Sequence, residues 1–577
     1  MAGPDARTLA TYLATADDAS LTELLTERRI PQTVGWTDYF DAADALLDPA
    51  SIIRGIAALA RPEADTLRAA VTSDRPLLSG PERDTLTRRA LVDPDGLVYR
   101  AVVAAWDGVH DSATPEAERP PEPTTRPHPE EAAHAAERAF AASTSLADVL
   151  QSALATPLTR IGSGALGAAD RRRLVESGAV ESAEAADELL IIAATARLVT
   201  DVGRHWLVTP AGAQWLSSRT VTRWHDIARL LRSALPAGVR TSTGGWIPID
   251  QWPAAYPFDP SWPARARQLR GQLHRWAMIG PDDSSPSWGE GMRDGSDADE
   301  AALQSLLPTE VDRVFLQNDL TAIAPGPLEP HLDMRLRSMA QRESRAQAST
   351  YRFTAESLTA ALTAGETADS LRQFLTSLSL TGLPQPLEYE IERSSRRHGN
   401  VQVGPDWSGR TRVSAEDAGL LQAIAIDQAL RPLGLVPDGD ALITRSGVET
   451  TFWMLADARY PVTAVGADGT PRAIDRHRVA TRDEPVSDVP ADYGTLLTRL
   501  RSAHASDADS AWLGRELEQA VRAHAVLTIV VRLPDGGERE VTLEATGLGG
   551  GRLRGRDRGA DVERTLPVSS IASVRPA

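Results

Sequence analysis

Residues 312–403 decide the fold of this chain. They read DRVFLQNDLTAIAPGPLEP at 312–330 and YRFTAESLTAALTAGETADSLRQFLTSLSLTGLPQPLEYEIERSSRRHGNVQV at 351–403, with HLDMRLRSMAQRES between them. RVFLQ, LTAIAP, STYRFT and NVQVG are short runs of strand type, whereas the segments between them, including HLDMRLRSMAQRES, have helical spacing. The stretch therefore predicts an α/β block of short strands and helices.

Capping residues indicate where the helices of this block begin. Thr354 precedes AESLTAALTAG, which stops at Gly365, and Thr367 precedes ADSLRQFLTSLS. A threonine hydroxyl can accept a hydrogen bond from a free N–H of the first helical turn, so both threonines are predicted N-caps. Further strand and helix patterns, ALITRSG and VETTFWMLADAR, extend the predicted α/β domain to residues 306–480.

The N-terminal half has helical patterning on both sides of a proline-rich segment. Residues 1–110 predict a helical unit, for which a winged-helix-like arrangement and a plain helical bundle are both open. Residues 111–130 contain six prolines and no apolar cluster, which is typical of a linker. Residues 131–220 read as three helical stretches followed by a strand pair, which predicts a winged-helix-like domain.

Residues 221–305 predict a tryptophan-rich helical region. Tryptophans at this spacing are more often core residues than platforms for stacked bases, so we expect them to pack inside the protein. The segment at 281–300, PDDSSPSWGEGMRDGSDADE, is polar and rich in glycine, and it predicts a mobile loop. The tryptophans in and beside this region are Trp206, Trp215, Trp224, Trp246, Trp252, Trp262, Trp276 and Trp288.

The C-terminal part changes from a helical to an alternating pattern. Residues 481–520 predict a linker and a helix, and residues 521–577 predict a small SH3-like or Sm-like β-module. Asp535-Gly536-Gly537 marks a hairpin turn within it. The predicted fold class is thus multi-domain α+β, with a helical and winged-helix N-terminal half, an α/β block and a small C-terminal β-barrel.

Two residue types are absent from the sequence. There is no cysteine, which excludes disulfides and thiolate chemistry, and there is no lysine, so all 61 basic residues are arginine. A phosphate-binding loop of the G-x-x-x-x-G-K-[ST] type and a Schiff-base lysine are therefore excluded from these 577 residues. With no metal-binding or hydrolase motif either, we expect a protein that is not an enzyme and needs no cofactor.

Charge and hydropathy restrict the partners. No apolar run reaches the roughly 18–20 residues that span a bilayer, and the first residues lack the pattern of a signal peptide. We therefore expect a cytoplasmic protein with no membrane partner, and association with the nucleoid stays open. The net charge of −18 argues against broad electrostatic coating of DNA, but it leaves room for a local arginine patch.

Three arginine clusters are the candidate DNA contacts. Guanidinium groups pair with phosphate or guanine in bidentate fashion, although such clusters are more often solvated surface. The first cluster starts what we interpret as the recognition helix of the winged helix, the second lies beside His398, and the third alternates along a predicted strand. The residues are Arg171, Arg172, Arg173, Arg393, Arg396, Arg397, Arg552, Arg554 and Arg556.

The opening stretch resembles the N-terminal, non-motor region of XPB-type DNA repair helicases. Tyr351-Arg352-Phe353-Thr354 matches the family's strand end, Gly365 its helix stop, Pro384 the following break and His398-Gly399 its turn. The wider architecture is similar to actinobacterial helicase-associated proteins that carry this XPB-like block without a motor. The end of the chain, RTLPVSSIASV, resembles the β-module that follows WYL domains.

These resemblances imply a function. They imply a non-catalytic DNA-binding or scaffolding protein that works with a separate XPB-type helicase in DNA repair. The alternative is a transcriptional regulator or interaction scaffold that uses the WYL-like C-terminal module.

Overall fold

Five separate hydrophobic cores organise the described part of the chain. The computed structural model describes residues 3–73, 75–109, 129–162, 164–345, 348–472, 474, 479–480, 492–522, 524–533, 537–560 and 562–576. Most of the predicted proline-rich linker, and residues 481–491 of the predicted second linker, lie outside these residues. The mixed α+β, multi-domain class is confirmed.

The first unit is built from helices. Aspartates begin several of them, and Asp48 accepts hydrogen bonds from the N–H groups of Ala50 and Ser51 as an N-cap. Its core also takes in Phe258 and the beginning of a helix from near the C-terminus. The helices are α1 (Gly3–Thr15), α2 (Asp18–Glu27), α3 (Tyr39–Leu46), α4 (Pro49–Ala57), α5 (Arg61–Ser73), α6 (Pro81–Arg88) and α7 (Arg100–Ala105).

The second unit joins the predicted winged-helix and tryptophan-rich regions in one core. Its three short strands form an antiparallel sheet in the order β1-β3-β2. The elements are α8 (Pro129–Ala155), β1 (Leu158–Thr159), α9 (Ala168–Glu176), α10 (Ala183–Thr195), β2 (Val199–Val202), β3 (His205–Val208), α11 (Pro210–Ser217), α12 (Thr220–Ser233), α13 (Trp262–Arg275), α14 (Glu290–Asp294) and α15 (Glu300–Leu306).

The tryptophans of this unit are core residues, as the sequence predicts. All eight of those between positions 206 and 288 are at most 8% exposed. Trp224 donates from Nε1 to the carbonyl oxygen of Trp276 at 2.7 Å, and its ring meets that of Trp288 edge-on at 5.0 Å. The segment predicted as a mobile loop contains α14 and buries Trp288 and Met292.

The third unit contains most of the 312–403 stretch, whose last residues, from Val401 on, belong to the next unit. Thr354 and Thr367 both form capping boxes, with Ser357 and Ser370 respectively, which confirms the predicted N-caps. Its antiparallel sheet has the order β4-β5-β7-β6. The elements are β4 (Phe315–Leu316), β5 (Thr321–Ala324), α16 (Pro330–Met339), β6 (Gln341–Arg345), β7 (Ser349–Arg352), α17 (Ala355–Thr363), α18 (Ala368–Leu378) and α19 (Gln385–Arg397).

One predicted helix of this unit is shorter than expected. HLDMRLRSMAQRES continues as helix only to Met339, and Ala340 turns to an extended backbone with φ −143°. Gln341–Arg345 then pairs with β7 as an edge strand. The pairing partner lies later in the chain, and helical spacing in the segment itself gives no sign of it.

The fourth unit is a second sheet with its own core, so the predicted 306–480 block contains two cores. Its strands have the order β10-β11-β9-β8-β12-β13, and only β12 and β8 run parallel. The elements are β8 (Val401–Pro405), β9 (Thr411–Ala415), α20 (Ala418–Ile426), β10 (Val436–Asp438), β11 (Ala441–Thr444), α21 (Val448–Asp457), β12 (Val462–Val465) and β13 (Pro471–Arg472).

The fifth unit is an open antiparallel sheet, which corrects the predicted barrel. The order is β17-β16-β15-β14-β18, with β17 and β18 at the two edges. Leu517 and Ala520 of the preceding helix complete the core, so the sheet does not have to close on itself to bury its apolar face. The elements are α22 (Gly494–Arg522), β14 (Val526–Arg532), β15 (Glu538–Gly549), β16 (Arg552–Asp557), β17 (Val562–Pro567) and β18 (Ile571–Pro576).

The two strands of the hairpin predicted near Asp535 are present. β14 and β15 pair in antiparallel fashion up to Arg532 and Glu538, whereas Asp535 and Gly536 lie outside the described residues.

Ionic and polar contacts hold the third unit against the second. The carboxylate of Asp148, on α8, accepts from Arg337 Nη1 at 2.6 Å and also from Arg342. Asp148 has a side chain that is only 2% exposed. Tyr351 donates to Asp333 at 2.6 Å within the third unit, beside this contact.

His398 joins the third and fourth units and predicts a pH effect. Its ring nitrogens lie 3.4 Å from Thr363 Oγ1 and 3.2 Å from Thr463 Oγ1, and burial lowers its pKa. The unfolded chain therefore binds the proton more readily, and stability falls as pH drops below the unfolded value of about 6.5. We expect His398→Gln to reduce the loss of melting temperature between about pH 7.5 and 5.5.

The matched control is His331→Gln, at a histidine whose side chain is 61% exposed. The melting temperature of this variant should change with pH as that of the wild type does. If both substitutions leave the same pH dependence of the melting temperature, the contribution of His398 is refuted.

Candidate nucleic-acid interface

The first arginine cluster lies on α9 and is partly neutralised. Arg171 Nε is 2.9 Å from Asp187 Oδ2, and Arg173 Nη2 is 2.8 Å from Asp170 Oδ1. Arg172 is exposed. The carboxylates reduce the positive charge that this cluster can offer to a phosphate group.

The helix that follows, α10, presents an acidic and apolar face to solvent. Glu184 is exposed, Asp187 and Glu188 are half-buried, and Ile191 is 61% exposed. In a helix-turn-helix, the second helix of the pair enters the major groove. If the order of elements from α8 to β3 is that of a winged helix, this position belongs to α10, and the arginines of α9 lie on the helix before it.

The second cluster lies on α19 and has an aromatic neighbour that the sequence analysis did not single out. Arg393 and Arg396 are exposed and pair with Glu390 at 3.4 Å and Glu392 at 3.0 Å. Tyr389, 67% exposed, is four residues before Arg393 and therefore shares its helix face. The adjacent Arg397 is also exposed.

The third cluster forms a row on one face of β16, as its spacing predicts. Arg552, Arg554 and Arg556 are exposed and alternate with buried residues. Gly549 and Pro567 stand opposite Arg552, and Gly547 and Thr565 stand opposite Arg554, so these two guanidiniums face no acidic residue on the neighbouring strands.

The third arginine of this row differs in its surroundings. Arg556 stands between Glu544 on β15 and Glu563 on β17. Residues 525–577 as a whole contain eight arginines against seven acidic residues, in a chain whose net charge is −18. The C-terminal sheet is therefore less acidic than the rest of the protein, and no acidic residue stands directly opposite Arg552 or Arg554.

The nine predicted arginines lie on three units with separate cores, namely the second, third and fifth.

A further group of arginines was not predicted, because its members do not form a cluster in the sequence. Arg229, Arg232 and Arg240 line a surface cavity of about 530 Å³ with Asp226. Asp297 lies within 3.6 Å of both Arg229 and Arg232, so this group is also partly compensated.

An exposed tryptophan was missed as well. Trp407 occupies the tip of the β8–β9 hairpin and is 95% exposed. A single tryptophan between two short strands carries no pattern that distinguishes a core residue from a surface residue. Only the register of the hairpin shows that it projects away from the core.

Comparison with known proteins identifies one region. Residues 314–437 match the family model described as the helicase conserved C-terminal domain. This helicase-related region, as we call residues 314–437, contains the third unit, the arginines of α19 and the Trp407 hairpin. It indicates a helicase-related association with nucleic acid. None of the curated proteins compared matches the chain.

The described residues offer neither a metal site nor a membrane-spanning helix. They contain no group of three or more histidine, aspartate or glutamate side chains placed to hold a metal ion. No helix that the structure describes is both long and apolar enough to cross a membrane.

Proposed function

We propose that this chain is a non-catalytic DNA-binding or scaffolding protein that works with a separate XPB-type DNA repair helicase. The observation that carries the proposal is the match of residues 314–437 to a helicase domain family in a sequence without lysine. Superfamily 2 motors need a phosphate-loop lysine, so ATP-driven unwinding would come from outside these 577 residues. The likeness of 312–403 to the XPB-type non-motor region supports the choice of partner.

The DNA contact is proposed at the arginine-bearing surfaces of α19 and β16. Exposed guanidiniums on a strand and on a helix end can reach phosphates along a backbone without reading its sequence. The order of helices and strands from α8 to β3 supports a winged helix in the second unit. Its acidic α10 makes that unit a poor match for the major groove, so we assign it to contacts with protein.

A mobility shift with duplex, forked and bubble DNA at low and moderate salt tests the proposal. We expect binding that weakens as salt rises, because phosphate contacts release counterions. Absence of binding to all three DNAs at low salt would remove the DNA part of the proposal. Turnover of ATP by the pure protein would remove the non-catalytic part.

The row on β16 gives a sharper expectation. Changing Arg552, Arg554 and Arg556 together to glutamine should weaken binding and make the slope of log affinity against log salt shallower by up to about three, near 0.9 for each phosphate contact. Because these side chains are exposed, the fold should be retained. Salt-titrated fluorescence anisotropy measures the slope.

A matched triple substitution controls for the loss of charge. Arg54, Arg88 and Arg100 are exposed residues of the first unit, and their joint change to glutamine alters the net charge equally. Equal slopes for the two triple variants would contradict a specific role of the β16 row.

One observation favours a second candidate function. The acidic and apolar face of α10, with Ile191 exposed, suits a protein surface better than DNA. We therefore keep the transcriptional regulator or interaction scaffold as an alternative. Charge reversal of Arg552, Arg554 and Arg556 that abolishes partner binding but leaves DNA affinity unchanged would favour it.

A further inference from the structure

The β8–β9 hairpin ends in a tightly bonded turn that carries Trp407. Asp406 N–H donates to the carbonyl oxygen of Arg410 at 2.7 Å, and Gly409 N–H donates to that of Asp406 at 3.2 Å. Gly409 has φ +78°, the left-handed conformation that closes a three-residue hairpin loop. The loop residues Trp407, Ser408 and Gly409 are thus held by the strands on each side.

The Asp406 carboxylate stabilises this turn from within. Its Oδ1 accepts from the N–H groups of Ser408 at 2.7 Å and Arg410 at 2.9 Å, and Oδ2 accepts from Arg410 Nε at 3.1 Å. The Ser408 hydroxyl also donates to Oδ1, at 2.7 Å. The hydrogen bonds, above all that of the Ser408 hydroxyl, lower the pKa of Asp406 to about 2. The turn therefore keeps its charged hydrogen-bond acceptor across the physiological pH range.

The strands below the turn are anchored in the core of the fourth unit. Val401 and Val403 of β8 and Val413 of β9 are fully buried. The hairpin consequently presents a large aromatic ring on a rigid support, with 95% of its surface in water. An exposed indole contributes no stabilisation through burial. In this respect Trp407 differs from the eight tryptophans of the second unit, which are all buried.

Arginines flank the base of the hairpin. Arg410 Nη2 lies 3.1 Å from Asp406 and 3.9 Å from Asp438, and Arg412 Nη2 lies 2.6 Å from Asp440. Both side chains are about 40% exposed, at 37% and 41%. Exposed ion pairs of this kind are weak, so a phosphate can replace the carboxylates of Asp438 and Asp440 as partner.

We propose that Trp407 is a stacking platform for an unpaired base of DNA. Every base has a flat π-face, and a base outside the double helix can lie on the indole while Arg410 and Arg412 approach the adjoining backbone. A base inside a duplex is already stacked on its neighbours, so the hairpin favours single strands and junctions. The inference rests on the proposed DNA-binding function and specifies its substrate as DNA with unpaired bases.

The test compares the binding of Trp407→Ala to three DNAs. Fluorescence anisotropy is measured with a single strand, a fork and a blunt duplex of the same sequence. Loss of one stacked base should lower the affinity for the single strand and the fork by about fivefold to 150-fold, and leave duplex affinity within about twofold. Trp407→Phe keeps an aromatic face and should lose less.

Leu78→Ala is the matched control, because Leu78 is an apolar side chain that is 89% exposed on the first unit. It should bind all three DNAs like the wild type. Unchanged affinity of Trp407→Ala for the single strand would overturn the stacking platform alone. An equal loss on the duplex would overturn the preference for unpaired bases, and wild-type protein that binds none of the DNAs would overturn the proposed function as well.

Discussion

Asp148→Ala is expected to lower the free energy of unfolding by about 3–5 kcal/mol, which is typical when one partner of a buried ion pair is removed. The Asp148 side chain is 2% exposed and receives hydrogen bonds from both Arg337 and Arg342. The side chains of the two arginines are 18% and 13% exposed, so water compensates their charges poorly once the carboxylate is gone.

The carboxylates around Arg337 favour its charged form. Burial by itself lowers the pKa of Arg337, but the carboxylates of Asp148 and Asp333 more than reverse this and leave its pKa raised. Alanine at position 148 removes the nearer of these carboxylates. Chemical unfolding followed by tryptophan fluorescence measures the effect, because the tryptophans of the second unit report on the core that contains α8.

A control variant and a compensating variant distinguish the effect of a buried carboxylate on stability from that of a surface carboxylate. Asp65→Ala breaks the exposed pairs of Asp65 with Arg61 and Arg68 and should cost less than about 1 kcal/mol. Replacing Asp148, Arg337 and Arg342 together by apolar residues of similar size should restore most of the loss. A cost for Asp148→Ala no larger than that for Asp65→Ala would refute this account of the interface.

Trp224→Ala should destabilise the second unit by about 3–5 kcal/mol. Trp224 is fully buried, its ring contacts that of Trp288, and its indole N–H satisfies the carbonyl oxygen of Trp276. Truncation therefore removes apolar burial, opens a cavity and leaves a buried carbonyl without its donor. The midpoint of urea unfolding, followed by circular dichroism, should fall accordingly.

Trp407→Ala is the matched control, because it removes the same side chain from a position that is 95% exposed. It should change stability by less than about 0.5 kcal/mol. Similar unfolding midpoints for the two alanine variants would contradict the assignment of one tryptophan to the core and the other to the surface.

Features with local causes could be predicted from the sequence. The caps at Thr354 and Thr367 depend on residues three positions away, and both are present. The alternation of Arg552, Arg554 and Arg556 follows from the two-residue period of a strand. The burial of the eight tryptophans between positions 206 and 288 follows from their number and size.

Features with distant causes could not be predicted. Gln341–Arg345 is a strand because β7 pairs with it, and the C-terminal sheet stays open because α22 covers its core. Arg171 meets Asp187 only after α9 and α10 pack together. The exposure of Trp407 likewise depends on the register of β8 and β9.

The most direct test of the account is equilibrium binding of the full chain to bubble DNA in a salt titration, with ATP turnover measured in the same samples. We predict binding that weakens steadily with rising salt, in samples that hydrolyse no ATP beyond background. Undetectable binding at low salt, or steady ATP hydrolysis by the pure protein, would contradict it.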